Sequence, residues 1–425
     1  MRFYLLCLLL LPVLRLPAQS ILTGRVVNRV DGKPLSGVSV YINNSVAGTE
    51  TDSLGRYRIY TTMKSFELIF SSVGFERQSF RIDRVGNSVW DVALTPRMEP
   101  MEGIAIRYAS KDNWKKWGGL FQELLIGKSR FADQCVVLNP EDIWFRFNKQ
   151  TQTLVARARA PLQVRNDALG YRIHYEVDSF SYSFQTNLIF RTGGLYFEAL
   201  SPADSSQESE WRSNRRWAYR GSKMHFFRSV YSGRTAREGF RVYIFHSRPN
   251  LEKLRVRAMV NAMEASLYEK NKAQGVLPAS LISSNKDSLR YYEDLLKMPD
   301  RVFYDSVPVE ASERTWRRDS LAGLRFQSDT LLVFYREPIE VALREGKAGN
   351  ARRYKGLSKS LREQYSFFTG QVPLDRQYTI LALVDGEELL IARNGYTWGS
   401  LLFDDGYMAW KRLAQVLPWD YQPDE

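Results

Sequence analysis

With 425 residues, of which 44% are hydrophobic and 13% aromatic, the chain holds enough apolar material for two or three cored domains, which excludes a disordered polymer. A net charge of +13, from 60 Lys and Arg against 47 Asp and Glu, raises nucleic acid as a partner. An exported chain rarely meets nucleic acid, so the leader at its front turns the expectation toward anionic glycans, lipid head groups or envelope proteins, and away from nucleic acid.

Met1 to Ala18 has the form of a secretory signal: Arg2 as the charged head, Phe3 to Leu11 as the apolar segment, and Leu16-Pro-Ala18 as the cleavage site. A membrane span needs about 20 apolar residues, and Pro12 and Arg15 break this run early. The expectation is cleavage, export to the periplasm or the outer-membrane surface, and no transmembrane segment afterwards. Cys7 leaves with the leader, so mature protein keeps Cys135 alone. A lone cysteine forms no internal disulfide, and its apolar run Cys-Val-Val-Leu138 suits a buried small hydrophobe.

From Ile21 to Pro96, short β-rich runs alternate with Gly, Pro, Asn and Asp, the pattern of a Greek-key sandwich of roughly seven strands. Val38, Val40 and Ile42 share one face of a strand, and Phe66, Leu68 and Phe70 repeat the arrangement. Thr51-Asp52-Ser53-Leu54-Gly55 places Asp early and Gly late in a tight turn. Met98 to Gly103 forms a linker. Trp114, Trp117, Leu120, Phe121, Leu124 and Leu125 then recur at helical spacing and stop at Gly127. Strands are expected at 134–138, 142–147, 153–158 and 171–184, and a hairpin at 187–199 turning on Thr192-Gly193-Gly194. A polar loop follows at 201–209, then a helix within 215–231 and a strand at 239–245. Helices at 251–272 and 289–296, strands at 330–336, 365–369, 379–384 and 388–393, and a short helix within 407–417 complete the chain.

The spacings Gly24-x-Val26, Gly32-x-Pro34-Leu35-x-Gly37-Val38, Gly48-Thr49-x-Thr51-Asp52-x-x-Gly55-x-Tyr57 and Phe70-Ser71-x-Val73-Gly74-Phe75 resemble the carboxypeptidase-regulatory-like (transthyretin-like) β-sandwich. That resemblance implies an exported protein of a Gram-negative bacterium, since the domain is common at the front of envelope proteins there, TonB-dependent transporters among them. Cys135-x-x-x-Asn139-Pro140-Glu141, Tyr219-x-Gly221-Ser222-x-x-His225-Phe226 and Leu417-Pro418-x-Asp420-Tyr421 resemble the region that follows the sandwich in exported proteins, and imply no activity. The expected organisation is a leader at 1–18, the sandwich at 19–97, a linker and amphipathic helix at 98–128, and a β-rich domain with helical insertions at 129–425. The fold class is mainly β: a sandwich followed by a mostly antiparallel α+β domain. Pro96 and Pro100 end strand pairing, so few contacts are expected to cross the join beyond those of the helix near Trp114.

The chemistry in the sequence is thin. A metallocarboxypeptidase binds zinc through His-x-x-Glu, but Val177, Arg228 and Pro249 stand three residues after His174, His225 and His246. No Gly-x-Ser-x-Gly elbow and no phosphate-binding Gly-Lys-Ser/Thr loop occurs. No cofactor or metal site is therefore expected. The most distinctive polar feature is the cluster Arg212, Arg215, Arg216 and Arg220, interleaved with Trp217, which suits an anionic glycan or phosphate gripped by guanidinium forks and ring stacking. A bland alternative is a helix whose aromatics pack inward while its arginines are solvated. The expectation is thus a non-enzymatic envelope protein that binds or assembles envelope components. The alternative is a hydrolase of unknown type whose site is built from distant residues, with His174, Glu176 and His225 as first suspects.

Overall fold

The computed structural model describes residues 20–82, 88–97, 111–127, 129–184, 188–269, 282–297, 301–318, 321–327, 329–335, 377–399 and 401–423. The leader, the linker at 98–110 and the strand expected at 365–369 lie outside the described residues.

The first module is a sandwich of two sheets. Its strands are β1 (Ser20–Asn28), β2 (Ser39–Ile42), β3 (Gly48–Glu50), β4 (Arg56–Thr61), β5 (Phe66–Ser71), β6 (Gln78–Ile82), β7 (Ser88–Val89) and β8 (Val92–Leu94). One sheet runs β4-β1-β7, with β8 also on β1, and the other runs β3-β2-β5-β6. The first half of β1 pairs with β7 and its second half with β8, both in parallel. Alternation drives the folding of β4: Tyr57, Ile59 and Thr61 are buried while Arg56, Arg58 and Tyr60 face out. Val40, Ile42, Leu68 and Phe70 close the core from the other sheet. Each such side chain contributes about 1.5–3 kcal/mol by leaving water. At the tight turn the Asp52 carboxylate accepts from the Leu54 and Arg56 amides, and Gly55 takes φ +73°.

The rest is mostly antiparallel β with helices. The amphipathic helix α1 (Lys111–Ile126) packs Trp114 and Phe121 against Phe145. A six-stranded sheet follows, from β9 (Cys135–Val137), β10 (Ile143–Asn148), β11 (Thr153–Ala158), β12 (Leu162–Asn166), β13 (Tyr171–Ser183) and β14 (Ile189–Ala199). The long β13 is its spine, with β11 on its far end, β12 on its near end and β14 along its other side. Helices α2 (Ser205–Tyr219) and α3 (Lys223–Ser232) lead to β15 (Phe240–Pro249), α4 (Leu251–Glu269), α5 (Lys286–Lys297) and β16 (Arg301–Val309). Then come β17 (Thr315–Arg318), β18 (Leu321–Arg325), β19 (Thr330–Tyr335), β20 (Gln377–Leu383), β21 (Glu388–Ala392), β22 (Thr397–Trp398), β23 (Leu402–Gly406) and the short α6 (Tyr407–Trp410). They form a five-stranded sheet, β16-β15-β19-β20-β23, and a four-stranded one, β17-β18-β21-β22. Phe226, Phe227 and Val230 of α3 sit in the core these sheets share.

Three expectations change. Gly193 and Gly194 make no hairpin; β14 runs straight through them beside β13. A Cβ on Gly193 would lie 1.9 Å from the Glu176 carbonyl oxygen, so glycine here permits close backbone approach. The helix expected within 215–231 is two helices, the first beginning inside the expected loop at Ser205, where the Asp204 carboxylate caps it by accepting from the Gln207 amide. The break falls at Gly221, whose φ is +63°, and Ser222 caps the second helix.

Finally, many contacts cross the join, and they come from the sandwich's own turns. β14 is an edge strand whose free backbone groups need partners. The Asn43–Ser45 turn supplies them: Asn44 N donates to Leu195 O, Leu195 N to Asn43 Oδ1 at 2.9 Å, and Phe197 N to Ser45 O at 2.9 Å. The C-terminal segment adds Trp419 N to Asn44 O at 2.7 Å, and its Asp420 carboxylate accepts from Val46 N at 3.1 Å. Tyr396 Oη donates to Glu67 at 3.0 Å and Arg77 pairs with Asp178 at 2.5 Å. Strand β8 ends at Leu94, but backbone pairing continues past the expected stop at Pro96, with Glu76 N donating to Thr95 O and Arg97 N to Gly74 O, and chain continuity does not decide where modules touch.

Candidate functional site

The arginine cluster lies on α2, and the way the helix is seated divides it. Trp211 and Ala218 are the buried anchors. Trp211 Nε1 donates to Asp167 O at 2.7 Å, Asn214 Nδ2 to Ala168 O at 2.9 Å and Arg215 Nε to Leu169 O at 2.7 Å. This row fixes one helix face to the 167–170 turn. Gly170, at φ +68°, leaves room for the Trp211 ring, since a Cβ there would come within 2.3 Å of it. Arg215 also lies 4.3 Å over the Tyr171 ring, so its role is to hold the helix down. Arg212 pairs along the helix with Glu208 at 3.0 Å, in solvent.

The other three cluster residues come together. Arg216, Trp217 and Arg220 line a cleft of about 280 Å³ with Ser213, Asn214 and Arg130. Arg130, from the loop before β9, lies 5.3 Å over the Trp217 ring, and Phe131 meets that ring edge-on at 5.5 Å. Behind it the buried Lys411 ammonium donates to Ala218 O at 3.1 Å and Arg220 O at 2.7 Å, capping the carbonyls at the end of α2. Among the described residues no carboxylate lines this cleft. Sequence reasoning missed Arg130 and Lys411, which lie about 80 and 190 residues from α2, and included Arg212 and Arg215, which face elsewhere.

The suspected histidines and glutamate divide as well. His174 and Glu176 point to the same side of β13 and line a smaller recess of about 210 Å³, but His174 Nε2 is engaged by Glu198 at 3.2 Å. His225 sits in the other core, against Tyr219, Phe240 and Tyr335. Its Nδ1 accepts from Gly221 N and its Nε2 faces Glu238 at 3.3 Å. Burial pushes His225 down to about 4, against the pull of Glu238, so the ring is neutral. It does not join the other two. Cys135 donates weakly to Phe131 O, and burial raises its thiol to about 12, which makes it a poor nucleophile. Among the described residues no group of three or more His, Cys, Asp or Glu is arranged to hold a metal ion, and no helix is long and apolar enough to cross a membrane.

Residues 22–103 match the family model of the CarboxypepD_reg-like domain. The front module carries this domain. Over 91 residues the chain is 31% identical to TonB-dependent receptor P39 of Formosa agariphila, a match that covers 21% of this chain and 8% of that protein. Among solved structures, a DUF3823 family protein from Bacteroides ovatus aligns at 12% identity over 43% of this chain and 82% of its own, with a TM-score of 0.16. A putative carbohydrate binding protein from Bacteroides uniformis aligns at 10% identity over 44% of this chain and 80% of its own, also at 0.16. Scores of this size carry no argument about the carboxypeptidase-regulatory-like domain or its neighbour. What the second module does has to come from its own surface.

Proposed function

We propose that this is an exported, non-enzymatic binding protein of the bacterial envelope, whose second module holds an anionic group of a glycan or lipid head group. The observation that carries the reading is the convergence of Arg130, Arg216 and Arg220 on one cleft beside Trp217, with no carboxylate among the described residues of its lining. Guanidinium forks match phosphate and carboxylate oxygens two at a time, and an indole face accepts the apolar side of a sugar ring. Export rests on the leader-like residues 1–18, and an envelope setting is supported by the domain match and the TonB-dependent receptor similarity. In this reading residues 19–97 are the carboxypeptidase-regulatory-like module, 98–128 link it, and 129–425 bind.

The test is calorimetric titration of the mature chain with purified lipopolysaccharide, with inorganic pyrophosphate and with neutral dextran. Binding of the anionic probes, absent for dextran and weakened at least about tenfold in Arg130→Ala/Arg216→Ala, is expected, as for the loss of charge-assisted hydrogen bonds. Equal binding by the double variant, or no binding of either anion by folded wild type, would overturn it.

A further inference from the structure

The sandwich meets the second module through one of its two sheets. On β2 and β5 the core takes Val40, Ile42, Leu68 and Phe70, so Tyr41, Glu67 and Ile69 stand on the outer face of the β3-β2-β5-β6 sheet. That face is covered: Glu67 accepts from Tyr396 Oη, Tyr41 packs on Tyr196, and Arg81 of β6 lies 4.4 Å over the Trp398 ring. The outer face of the β4-β1-β7 sheet points the other way and is open. We propose that this open face is a docking surface for an anionic lipid bilayer, separate from the arginine cleft.

Strand register fixes what the face presents. Arg25 pairs with Arg56, Thr23 with Arg58 and Ile21 with Tyr60, and Val89 of β7 stands beside Thr23. The alternation of burial runs on past β4, exposing Thr62 and Lys64 while Thr61, Met63 and Ser65 are buried. None of these outward positions on β1 or β4 holds an acid. Asp91, just after β7, already accepts from the Arg25 amide at 2.8 Å.

Two observations point to a partner. First, like charges directly opposite on neighbouring strands repel, and Arg25 and Arg56 are placed so, with Arg58 close by. Arg25 Nε donates to Leu54 O at 3.0 Å, which keeps its guanidinium on this face. Among the described residues none of Arg25, Arg56, Arg58 and Lys64 has an ion-pair partner. Second, Val89 is 73% and Tyr60 47% exposed amid these cations. Charges confined to an edge strand would serve only to stop it pairing with other chains. Here Arg25 belongs to the interior strand β1, and two large apolar side chains accompany it, which such a guard does not need.

A bilayer interface answers both. Lipid phosphates accept from the guanidinium forks, while the Tyr60 ring and Val89 enter the boundary between head groups and acyl chains. An acidic polymer in water would match the charges and leave the apolar pair uncovered.

The experiment is flotation of the mature chain with vesicles of pure phosphatidylcholine, and of phosphatidylcholine mixed equally with phosphatidylglycerol. Wild type should float with the mixed vesicles alone. Arg130→Ala/Arg216→Ala, which disables the α2 cleft, should float as well as wild type, so failure of the cleft reading and failure of this one are told apart. Arg56→Gln/Arg58→Gln, at an unchanged melting temperature, should bind about twenty-fivefold more weakly, at roughly fivefold for each cation withdrawn from a charged bilayer. Tyr60→Thr/Val89→Thr should bind vesicles at least about threefold more weakly, with binding to soluble polyglutamate unchanged. No flotation of folded wild type, flotation of Arg56→Gln/Arg58→Gln equal to wild type, or loss of flotation in the cleft variant would each overturn the proposal. Wild-type vesicle affinity in folded Tyr60→Thr/Val89→Thr would assign the face to an acidic polymer and overturn it as well.

Discussion

The arginine cleft and the junction recess carry opposite charge and are assembled in different ways. The cleft is made within the second module, from one helix, one loop and a buried lysine behind them. The recess exists only where Tyr41 and Glu50 of the sandwich meet His174, Glu176 and Tyr196 of β13 and β14. A basic surface can therefore be a property of one folding unit, whereas the acidic recess is a property of docking. Any perturbation that parts the modules should abolish the second and spare the first.

The strongest way to sharpen that contrast is Trp419→Ala. Trp419 packs against the cores of both modules, so its truncation should cost about 3 kcal/mol. Calorimetry should show the single melt separating into two, with anion titration preserved and hydrogen exchange at the junction accelerated. Loss of anion binding together with that opening would erase the distinction.

Acid should act on the two regions with opposite sign. His225 supports the end of α2 through Gly221 N, and its folded value near 4 lies below the ordinary 6.5. Between these values the unfolded chain holds the proton and the folded chain does not, so this contribution is complete above pH 6.5 and is lost as pH falls toward 4. The loss amounts to roughly 3 kcal/mol at most. Glu176 and Asp420 at the junction are shifted the other way, raised first by burial. Their folded forms hold protons longer than the unfolded ones, so acidification relieves their burial cost. Denaturant melts at pH 7, 5 and 4, with hydrogen exchange to locate the change, should show the α2 end loosening before the junction. Earlier opening at the junction would contradict this.

Gly170→Ala is a smaller perturbation aimed at the cleft. Its positive φ and the Trp211 ring within 2.3 Å of a new Cβ should cost about 2 kcal/mol. Anion affinity should fall while the junction stays protected from exchange. Smallest is the pair Arg215→Ala and Arg216→Ala. The first removes bonds to Leu169 O and should lower stability by about 1 kcal/mol with anion binding retained. The second should leave stability within about 0.5 kcal/mol and weaken anion binding. A swap of these outcomes would mean that the wrong face of α2 has been assigned to the ligand.

The sandwich was legible because its signals are local: alternation in β4 and the Asp52–Gly55 turn each act within a few residues. Elsewhere the same residue types served longer-range needs. Gly193 looks like a hairpin turn, but its use is to let β14 pass the Glu176 carbonyl. Of the arginine cluster, helical phase separates Arg215 from Arg216, and only the seating of Trp211 tells which faces out. Arg130 had no signal in sequence, and of the junction recess only His174 and Glu176, on one face of a strand, were suspected; the other parts lie far apart along the chain and are joined by tertiary packing.

The clasp between Val46 and Asp420 spans 374 positions. A ribosome working at about 5–20 residues per second takes roughly 20–75 s to travel that distance. The sandwich is thus synthesised long before the strap that completes its docking: β14 can meet the Asn43–Ser45 turn early, while the Val46 amide waits for Asp420. Maturation has a built-in order, in which the oldest part of the molecule is locked last by the youngest. A chain ending shortly before Trp419 would join its modules through β14 and the Asn43–Ser45 turn but lack their last clasp.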